Sequence, residues 1–161
     1  MSRGPGRSTG VGKRPLTCGV VGTEYRGRAR GYGPMSASTV ELTKDNFDEI
    51  VSGSDFVLID FWASWCGPCR MFAPVYEKAA ERHSDLIFAK VDTEAQPELA
   101  AAFDIQSIPT LMIVRDNIAV FSQPGALPEQ ALEDVIGQAR DLDMDAVRAS
   151  VATPAPSDGR G

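Results

Sequence analysis

The feature that most limits how this chain can fold is the run at residues 56–63, which is apolar apart from Asp60. A second run, at residues 86–91, is apolar apart from Lys90. β-branched and aromatic runs without polar alternation are typical of strands buried on both faces, and such strands belong to sheets that helices cover on each side. The two runs therefore predict an α/β fold with a central sheet.

Strand and helix patterns alternate around these runs. Pro97 and Pro128 each open a helical pattern, because proline is tolerated in the first helical turn. Thr43 is a candidate cap for a short helix at residues 46–51. The last two strands flank Asp116 and Asn117, which indicates a hairpin. The predicted strands lie at residues 39–42, 56–63, 86–91, 110–114 and 118–121, and the predicted helices at residues 46–51, 66–83, 97–103 and from 128 onward.

Charge divides the chain into unequal parts. Residues 1–34 hold seven basic residues, one acidic residue and nine of the fifteen glycines. The whole chain has a net charge of −6, which leaves −12 for the remainder. A segment with so little apolar surface cannot offset the entropy lost on ordering, so we expect residues 1–34 to be a disordered basic extension. Residues 35–142 form the predicted domain, and residues 143–161 a short helix capped by Asp143 and a flexible tail.

The role of residues 1–34 stays open at this point. The segment lacks the continuous apolar core of a signal peptide, and its glycines disfavour an organelle transit peptide. We expect an inert leader, or an upstream start codon with the true start at Met35, and a cytoplasmic protein. The leader's charge alone would allow contact with nucleic acid, but the acidic chain as a whole argues against it. No apolar run is long enough to span a membrane. Cys18, within this segment, has no assigned role.

The chemistry of the chain is concentrated at Cys66 and Cys69, which follow directly on the first buried run. Two cysteines separated by two residues can form half of a zinc site, a dithiol redox couple or part of a core. A structural zinc site needs four ligands, and the chain adds only His83 and Cys18, so we expect no metal within one chain. Gly and Pro between the cysteines would serve no purpose in a core.

A redox couple gives each cysteine a physical role. Cys66 would start a helix, where free N–H groups and the helix dipole favour a thiolate. Cys69 lies one turn later and can close a disulfide with it. This arrangement predicts Cys66 as the attacking nucleophile and Cys69 as the resolving thiol. Pro68 fits the first helical turn, and Gly67 would let another chain approach the sulfur.

The segment at residues 61–70 reads Phe-Trp-Ala-Ser-Trp-Cys-Gly-Pro-Cys-Arg and resembles the active-site segment of the thioredoxin family. The resemblance extends over residues 40–140. It includes Ile-Pro-Thr at residues 108–110, which matches the family's cis-proline loop, and Gly-Ala-Leu at residues 125–127, which matches the glycine before its last helix. The resemblance implies a mixed five-stranded sheet with four flanking helices.

The resemblance also implies roles for residues outside the cysteine pair. Asp60 would be a buried acid that accepts the proton of Cys69, with its pKa raised by desolvation, although a strand-end residue facing water is the alternative. Lys90 matches a lysine near that acid, with an exposed strand residue as the alternative. Pro109 would hold a cis bond and expose the backbone of Ile108 to a substrate strand. The implied apolar docking face consists of Trp65, Gly67, Pro68, Ile108 and Gly125.

The implied function is reduction of protein disulfides by a monomer that binds no cofactor and carries the redox-active disulfide Cys66–Cys69. A flavin-dependent thioredoxin reductase using NADPH would recharge it. The alternatives are a disulfide oxidant or isomerase of the same fold, and a non-catalytic chaperone module. Gly-Pro between the cysteines favours the reductant, because relatives resembling isomerases and oxidants usually have histidine before the second cysteine. A non-catalytic module would not need intact cysteines.

Two features depart from the family or lie outside its site. The closing hairpin of the family usually turns on Asn-Gly, whereas this chain has Asn117 and Ile118. Isoleucine fits poorly where φ must be positive, so we expect the turn to shift or lengthen. We expect His83 to lie at the surface, at the end of the helix that the cysteines begin, and Pro74 to kink that helix.

Overall fold

A single mixed sheet of five strands forms the centre of the protein in this computed structural model, which describes residues 38–153. Its strand order is β1-β3-β2-β4-β5. β3 runs parallel to β1 and β2, whereas β4 is antiparallel to β2 and β5. The mixed sheet that the sequence predicted is therefore confirmed. The strands are β1 (Val40–Glu41), β2 (Phe56–Trp62), β3 (Ile87–Asp92), β4 (Thr110–Arg115) and β5 (Ile118–Pro124).

Five helices accompany the sheet in the described part of the chain. They are α1 (Phe47–Ser52), α2 (Gly67–Arg82), α3 (Pro97–Ala102), α4 (Glu129–Asp141) and α5 (Met144–Ala152). The first four are the predicted flanking helices, and α2 contains Pro74 as predicted. Across residues 38–153, no helix combines the length and apolar character needed to cross a membrane. The predictions for residues 1–34, Cys18, Met35 and the tail beyond residue 153 lie outside the described residues.

The sequence predicted the N-cap of α5 correctly but not that of α1. Asp143 caps α5 as predicted, because its carboxylate accepts hydrogen bonds from the backbone N–H groups of Asp145 and Ala146. The prediction that Thr43 caps α1 is wrong. Asn46 is the N-cap residue, and its side-chain oxygen accepts a hydrogen bond from the N–H of Thr43 at 2.7 Å. The asparagine therefore ties the preceding loop rather than the helix itself.

The two faces of the sheet bury separate apolar layers, because successive residues of a strand point to opposite sides. Leu58 of β2 faces α2 and α4, where Tyr76 and Ile136 are fully buried. Ile59 and Phe61 face the opposite side, which α1 and α3 cover. Each such side chain contributes about 1.5–3 kcal/mol when it is fully buried. Asp60 alternates with Ile59 and Phe61, so it belongs to the face that α2 covers.

The hairpin between β4 and β5 turns on Asp116 and Asn117, the two residues that the sequence predicted to lie between these strands. Asp116 and Asn117 both have positive φ, at 49° and 65°. Asp and Asn tolerate this conformation better than branched residues do. Ile118 already belongs to β5 and pairs with Arg115. The hairpin predicted around Asp116 and Asn117 is therefore confirmed, and isoleucine stays out of the left-handed region.

Candidate active site

Cys66 and Cys69 form a disulfide at the junction between β2 and α2, with Cα atoms 5.2 Å apart. Cys66 is the N-cap residue of α2, and its Sγ accepts a hydrogen bond from the backbone N–H of Cys69 at 3.2 Å. Pro68 lies in the first turn, as predicted. The helix start presents N–H groups and the positive end of the dipole to the sulfur of Cys66, which favours a thiolate there after reduction.

The loop before β4, which contains Ile108 and Pro109, lies next to the disulfide. The Ile108–Pro109 peptide bond is cis, as the resemblance implied. The carbonyl oxygen of Ile108 lies 3.7 Å from the Sγ of Cys66. Gly125 donates a backbone hydrogen bond to the carbonyl of Pro109 at 2.8 Å, and its φ of 102° is one that glycine adopts readily. The residue after β5 is thus tied to the loop that faces the cysteines.

An open groove of about 480 Å³ runs past the disulfide. It brings together four of the five residues expected in the docking face, namely Trp65, Gly67, Pro68 and Ile108. Gly125 does not line it. Cys66 therefore borders the groove and Cys69 does not, although both residues are almost fully buried, at 4% and 3% exposure.

Sequence reasoning missed the second wall of this groove. Its residues are polar or small apart from Ile105 and have no chemical signature of their own, and sequence adjacency to Ile108 was the only signal for three of them. The missed lining residues are Thr93, Ala100, Ile105, Gln106 and Ser107.

Trp65 is the largest exposed aromatic side chain at the groove. Its residue surface is 65% exposed, and its indole N–H donates a hydrogen bond to the Oε1 of Glu94 at 2.9 Å. An exposed tryptophan held by one bond offers apolar area without a large loss of rotamer freedom on binding. Glu94 was also missed by the sequence analysis, because it is 29 residues away from its partner.

Asp60 of β2 is fully buried, and neither of its carboxylate oxygens has a hydrogen-bond partner among the described residues. Burial raises the pKa of the Asp60 carboxyl to about 7, and the nearby Lys90 ammonium opposes that shift. The alternative of a strand-end residue facing water is excluded by this burial. The raised pKa that the resemblance implied is therefore present.

Lys90 lies beside Asp60 in the register between β2 and β3. It is 7% exposed, so the alternative of an exposed strand residue is excluded. Its Nζ lies 5.1 Å from the centroid of the Trp62 ring. Tyr76 of α2 also belongs to this buried cluster, and its hydroxyl donates to the carbonyl of Ala89 at 2.9 Å.

His83 is not the surface residue that the sequence suggested. Its Nε2 lies 2.7 Å from the Oε2 of Glu133, and its ring stacks on Phe88. The side chain is 21% exposed. The imidazole joins the end of α2 to α4, a contact between residues 50 positions apart that no local pattern reveals.

No group of three or more His, Cys, Asp and Glu side chains suited to a metal ion occurs within residues 38–153. The chemistry that the described residues present at the groove is that of the Cys66–Cys69 disulfide.

Comparison with known proteins agrees with this geometry. The family model described as Thioredoxin matches residues 38–138. A relative named "Putative thioredoxin 2" from Streptomyces coelicolor is 75% identical over 115 residues, which are 71% of this chain and 86% of the relative. A thioredoxin of Alicyclobacillus acidocaldarius is 44% identical over 97 residues, 60% of this chain and 92% of the relative.

A solved structure agrees as well. The thioredoxin of Plasmodium falciparum is 33% identical, with a TM-score of 0.58 over 61% of this chain and 96% of that one. The family model covers well over half of this chain, and the relatives are matched along most of their own lengths. The chain therefore belongs to the thioredoxin family, whose members are protein-disulfide oxidoreductases.

Proposed function

We propose that this thioredoxin-family protein reduces disulfides in other proteins, with Cys66 as the nucleophile and Cys69 as the resolving thiol. The observation that carries this assignment is the groove, which Cys66 lines and Cys69 does not. The helix N-terminus favours a thiolate on Cys66 as well. The place of Cys66 on the groove and the field of the helix N-terminus both support attack by Cys66 first and resolution by Cys69 second.

In the reduced protein, the Cys66 thiolate attacks one sulfur of a substrate disulfide. The substrate S–S bond breaks, a mixed disulfide forms, and the second substrate sulfur leaves as a thiolate that takes a proton from water. Cys69 then attacks the Sγ of Cys66, so the mixed disulfide breaks and the Cys66–Cys69 disulfide closes. Two electrons have passed from the cysteine pair to the substrate, which leaves with both sulfurs reduced.

Asp60 accepts the proton that Cys69 loses before it attacks. A carboxyl group with a pKa of about 7 is partly ionised at neutral pH. Its ionised form binds a proton strongly enough to accept the one that Cys69 releases. Lys90 acts near Asp60 by opposing the rise of its pKa. Both groups act from within the buried layer under α2, where electrostatic interactions are weakly screened.

The docking face for the substrate consists of Trp65, Gly67, Pro68, Ile108, Pro109 and Gly125. A built Cβ at Gly67 would meet no atom within 4 Å, which supports an open approach to the sulfur from this side. The position of Ile108 on the groove, with its carbonyl oxygen near Cys66, supports presentation of its backbone to an extended substrate segment beside Pro109. The exposed ring of Trp65 would cover the apolar side chains of that segment.

Disulfide-containing proteins and a reductase are the general partners of the family. We propose that the reductase here is a flavin-dependent thioredoxin reductase that uses NADPH, that no cofactor or metal binds, and that nucleic acid and membranes are not partners. A reductant needs a compartment that keeps thiols reduced, so we place the protein in the cytoplasm. Within residues 38–153 the exposed large apolar side chains are spread over the loop before α2, α2 itself, the junction of α4 with α5, and α5, which supports a monomer. They are Trp65, Met71, Leu142 and Val151.

The reduction potential of the Cys66–Cys69 couple tests this proposal against an oxidant or isomerase. It is measured by equilibrating the protein with glutathione buffers of known ratio and quantifying the two thiols by alkylation. A reductant has a potential more negative than that of the cytosolic glutathione pool. A potential well above that of the pool would contradict reductase function and favour an oxidant.

A further inference from the structure

The side chains of Asp60, Lys90 and Trp62 form a polar cluster on the face of the sheet that α2 covers; the first two are buried, whereas Trp62 is half-buried. Asp60 and Trp62 are two residues apart on β2, so their side chains point to the same face. Lys90 is the register partner of Asp60 on β3 and shares that face. The lysine side chain can therefore reach either the carboxylate or the indole.

The ammonium of Lys90 lies over the indole rather than on the carboxylate. Its Nζ is 5.1 Å from the centre of the Trp62 ring, which is within the range of a cation–π interaction. Both oxygens of Asp60 lack a hydrogen-bond partner among the described residues. Tryptophan offers the strongest aromatic face for a cation, and the interaction is stronger when the cation is desolvated, as Lys90 is here.

The indole N–H of Trp62 supports the same interpretation. It is buried and has no hydrogen-bond partner within the described residues. A buried N–H without a partner destabilises the fold rather than holding the ring in place. No hydrogen bond therefore fixes the orientation of the ring, which leaves its packing and its contact with the Lys90 ammonium to do so.

A direct ion pair between Lys90 and Asp60 would work against proton transfer. An opposite charge in contact with a carboxylate favours the ionised form and lowers its affinity for a proton. Such a carboxylate would be a poor acceptor at neutral pH. When the two charges are kept apart, the Asp60 carboxylate binds a proton more strongly than it would in a direct ion pair with Lys90.

We propose that Trp62 is a positioning residue for the resolving step, because its ring holds the Lys90 ammonium away from Asp60 and so leaves that carboxylate free to accept the proton of Cys69. This inference rests on the proposed role of Asp60. The ring acts through Lys90 and does not line the groove that a substrate would enter.

The other groups around Asp60 do not replace this control. From α2, Tyr76 and the cysteine pair face the buried layer, and the charge of Asp60 raises the pKa of Tyr76 further above its ordinary value. That tyrosine therefore stays neutral over the working range. From β4, the register partner of Asp60 is Leu111, which is apolar. Lys90 on β3 is thus the cation that determines how strongly Asp60 binds its proton.

The test is a direct pH titration of the Asp60 carboxyl carbon by ¹³C NMR in four proteins. These are the wild type, Trp62→Leu, Lys90→Met and the double variant Trp62→Leu/Lys90→Met. Trp62→Leu frees the ammonium to close on Asp60, so the titration midpoint should fall from about 7 by at least about one pH unit. In the Lys90→Met background the same replacement should leave the midpoint within about 0.3 units, because no ammonium remains to move.

Trp62→Phe is the conservative control, because phenylalanine keeps an aromatic face for the cation and should keep the midpoint close to that of the wild type. The inference is overturned if Trp62→Leu leaves the midpoint unchanged or raises it. It is equally overturned if Trp62→Leu lowers the midpoint by the same amount with and without Lys90, since water access alone would then explain the effect. If Trp62→Leu does not fold, Trp62→Met takes its place in the same comparison with and without Lys90→Met, because methionine also lacks an aromatic face and the same Lys90-dependent fall in the midpoint is expected.

The titration also separates this inference from the proposed function. If Asp60→Asn resolves mixed disulfides as fast as the wild type, the role of Asp60 fails, whatever the titration shows. If Asp60→Asn slows resolution but Trp62→Leu leaves the midpoint in place, the role of Asp60 stands and only the positioning role of Trp62 is refuted.

Discussion

Lys90 lies directly beside Asp60 in the register of β2 with β3, yet no hydrogen bond joins the two side chains. The carboxylate is fully buried, and desolvation outweighs the nearby positive charge, so its pKa rises to about 7. A group of this kind favours the folded state only while it is protonated. Its burial is a cost that the fold carries at neutral and alkaline pH.

The first prediction concerns stability against pH. In the unfolded chain Asp60 ionises near pH 3.8, whereas in the folded protein it ionises near pH 7. Between these values the folded state binds the extra proton, so its contribution to stability is full below about pH 4 and lost as pH rises through about 7. Asp60→Asn should therefore be more stable than the wild type at pH 8 by up to about 4 kcal/mol, with little difference at pH 4. Denaturant unfolding of the oxidised proteins measures this, and a difference independent of pH would contradict it.

The second prediction concerns the resolving step. In the wild type the rate of resolution should rise with pH through an inflection near 7, where Asp60 becomes able to accept a proton. Asp60→Asn should slow resolution at pH 7 and abolish that inflection, while the initial attack by Cys66 keeps its rate. Stopped-flow measurement of both steps provides the comparison. Equal slowing of attack and resolution would mean that Asp60 is structural.

Local patterns made much of the fold predictable. The apolar run at residues 56–63 predicted β2, because a run without polar alternation is typical of a strand whose two faces are both buried. Cys66, Gly67 and Pro68 predicted the start of α2, because each fits a helix N-terminus. These features depend on neighbours within a few positions, and a single sequence displays them directly.

The parts that could not be predicted depend on distant contacts. Gln106 lines the groove only because its loop is folded against the cysteines. His83 was expected at the surface because its partner Glu133 lies on another helix, 50 residues away, and the sequence does not reveal the contact. The placement of the Lys90 ammonium over Trp62 is a choice between two nearby partners, and only the packed structure reveals it. Sequence patterns identify the residues that carry chemistry, whereas contacts between residues far apart in the chain can be seen only in the folded structure.

The third prediction compares Gly67, which lines the groove, with Gly125, which follows β5. A Cβ built at Gly67 or at Gly125 meets no atom within 4 Å, so neither site is closed by a steric clash. Gly125 has a φ of 102°, which is strained for any side chain. Gly125→Ala should therefore lower the free energy of unfolding by about 1–3 kcal/mol. Gly67→Ala should change it by no more than about 1 kcal/mol, in either direction. Equal losses in denaturant unfolding would contradict the account.

The fourth prediction concerns Arg115 at the end of β4. Its Nη1 donates to the carbonyls of Ala139, Arg140 and Leu142, at 2.8, 3.2 and 3.2 Å, and so satisfies the C-terminal end of α4. Arg115→Met leaves these acceptors without a charged donor, and we expect a loss of about 1–3 kcal/mol in the free energy of unfolding.

Arg148 provides the matched control for Arg115. It is half exposed and forms ion pairs with Asp116 and Asp145. Exposed ion pairs contribute at most about 1 kcal/mol, so Arg148→Met should cost less than Arg115→Met. If the two replacements lowered stability by the same amount, the carbonyl contacts of Arg115 would not be the source of its effect.

The central claim is that Cys66 attacks the substrate and Cys69 releases it, and trapping of the mixed disulfide tests it most directly. Reduced Cys69→Ser and reduced Cys66→Ser are each mixed with a peptide that carries one disulfide, and intact-protein mass spectrometry follows the adducts. Cys69→Ser should accumulate one peptide per protein through Cys66, stable until a reductant is added, whereas Cys66→Ser should form little adduct because Cys69 does not line the groove. Rapid adduct formation on Cys69 in Cys66→Ser, with none on Cys66 in Cys69→Ser, would contradict the account.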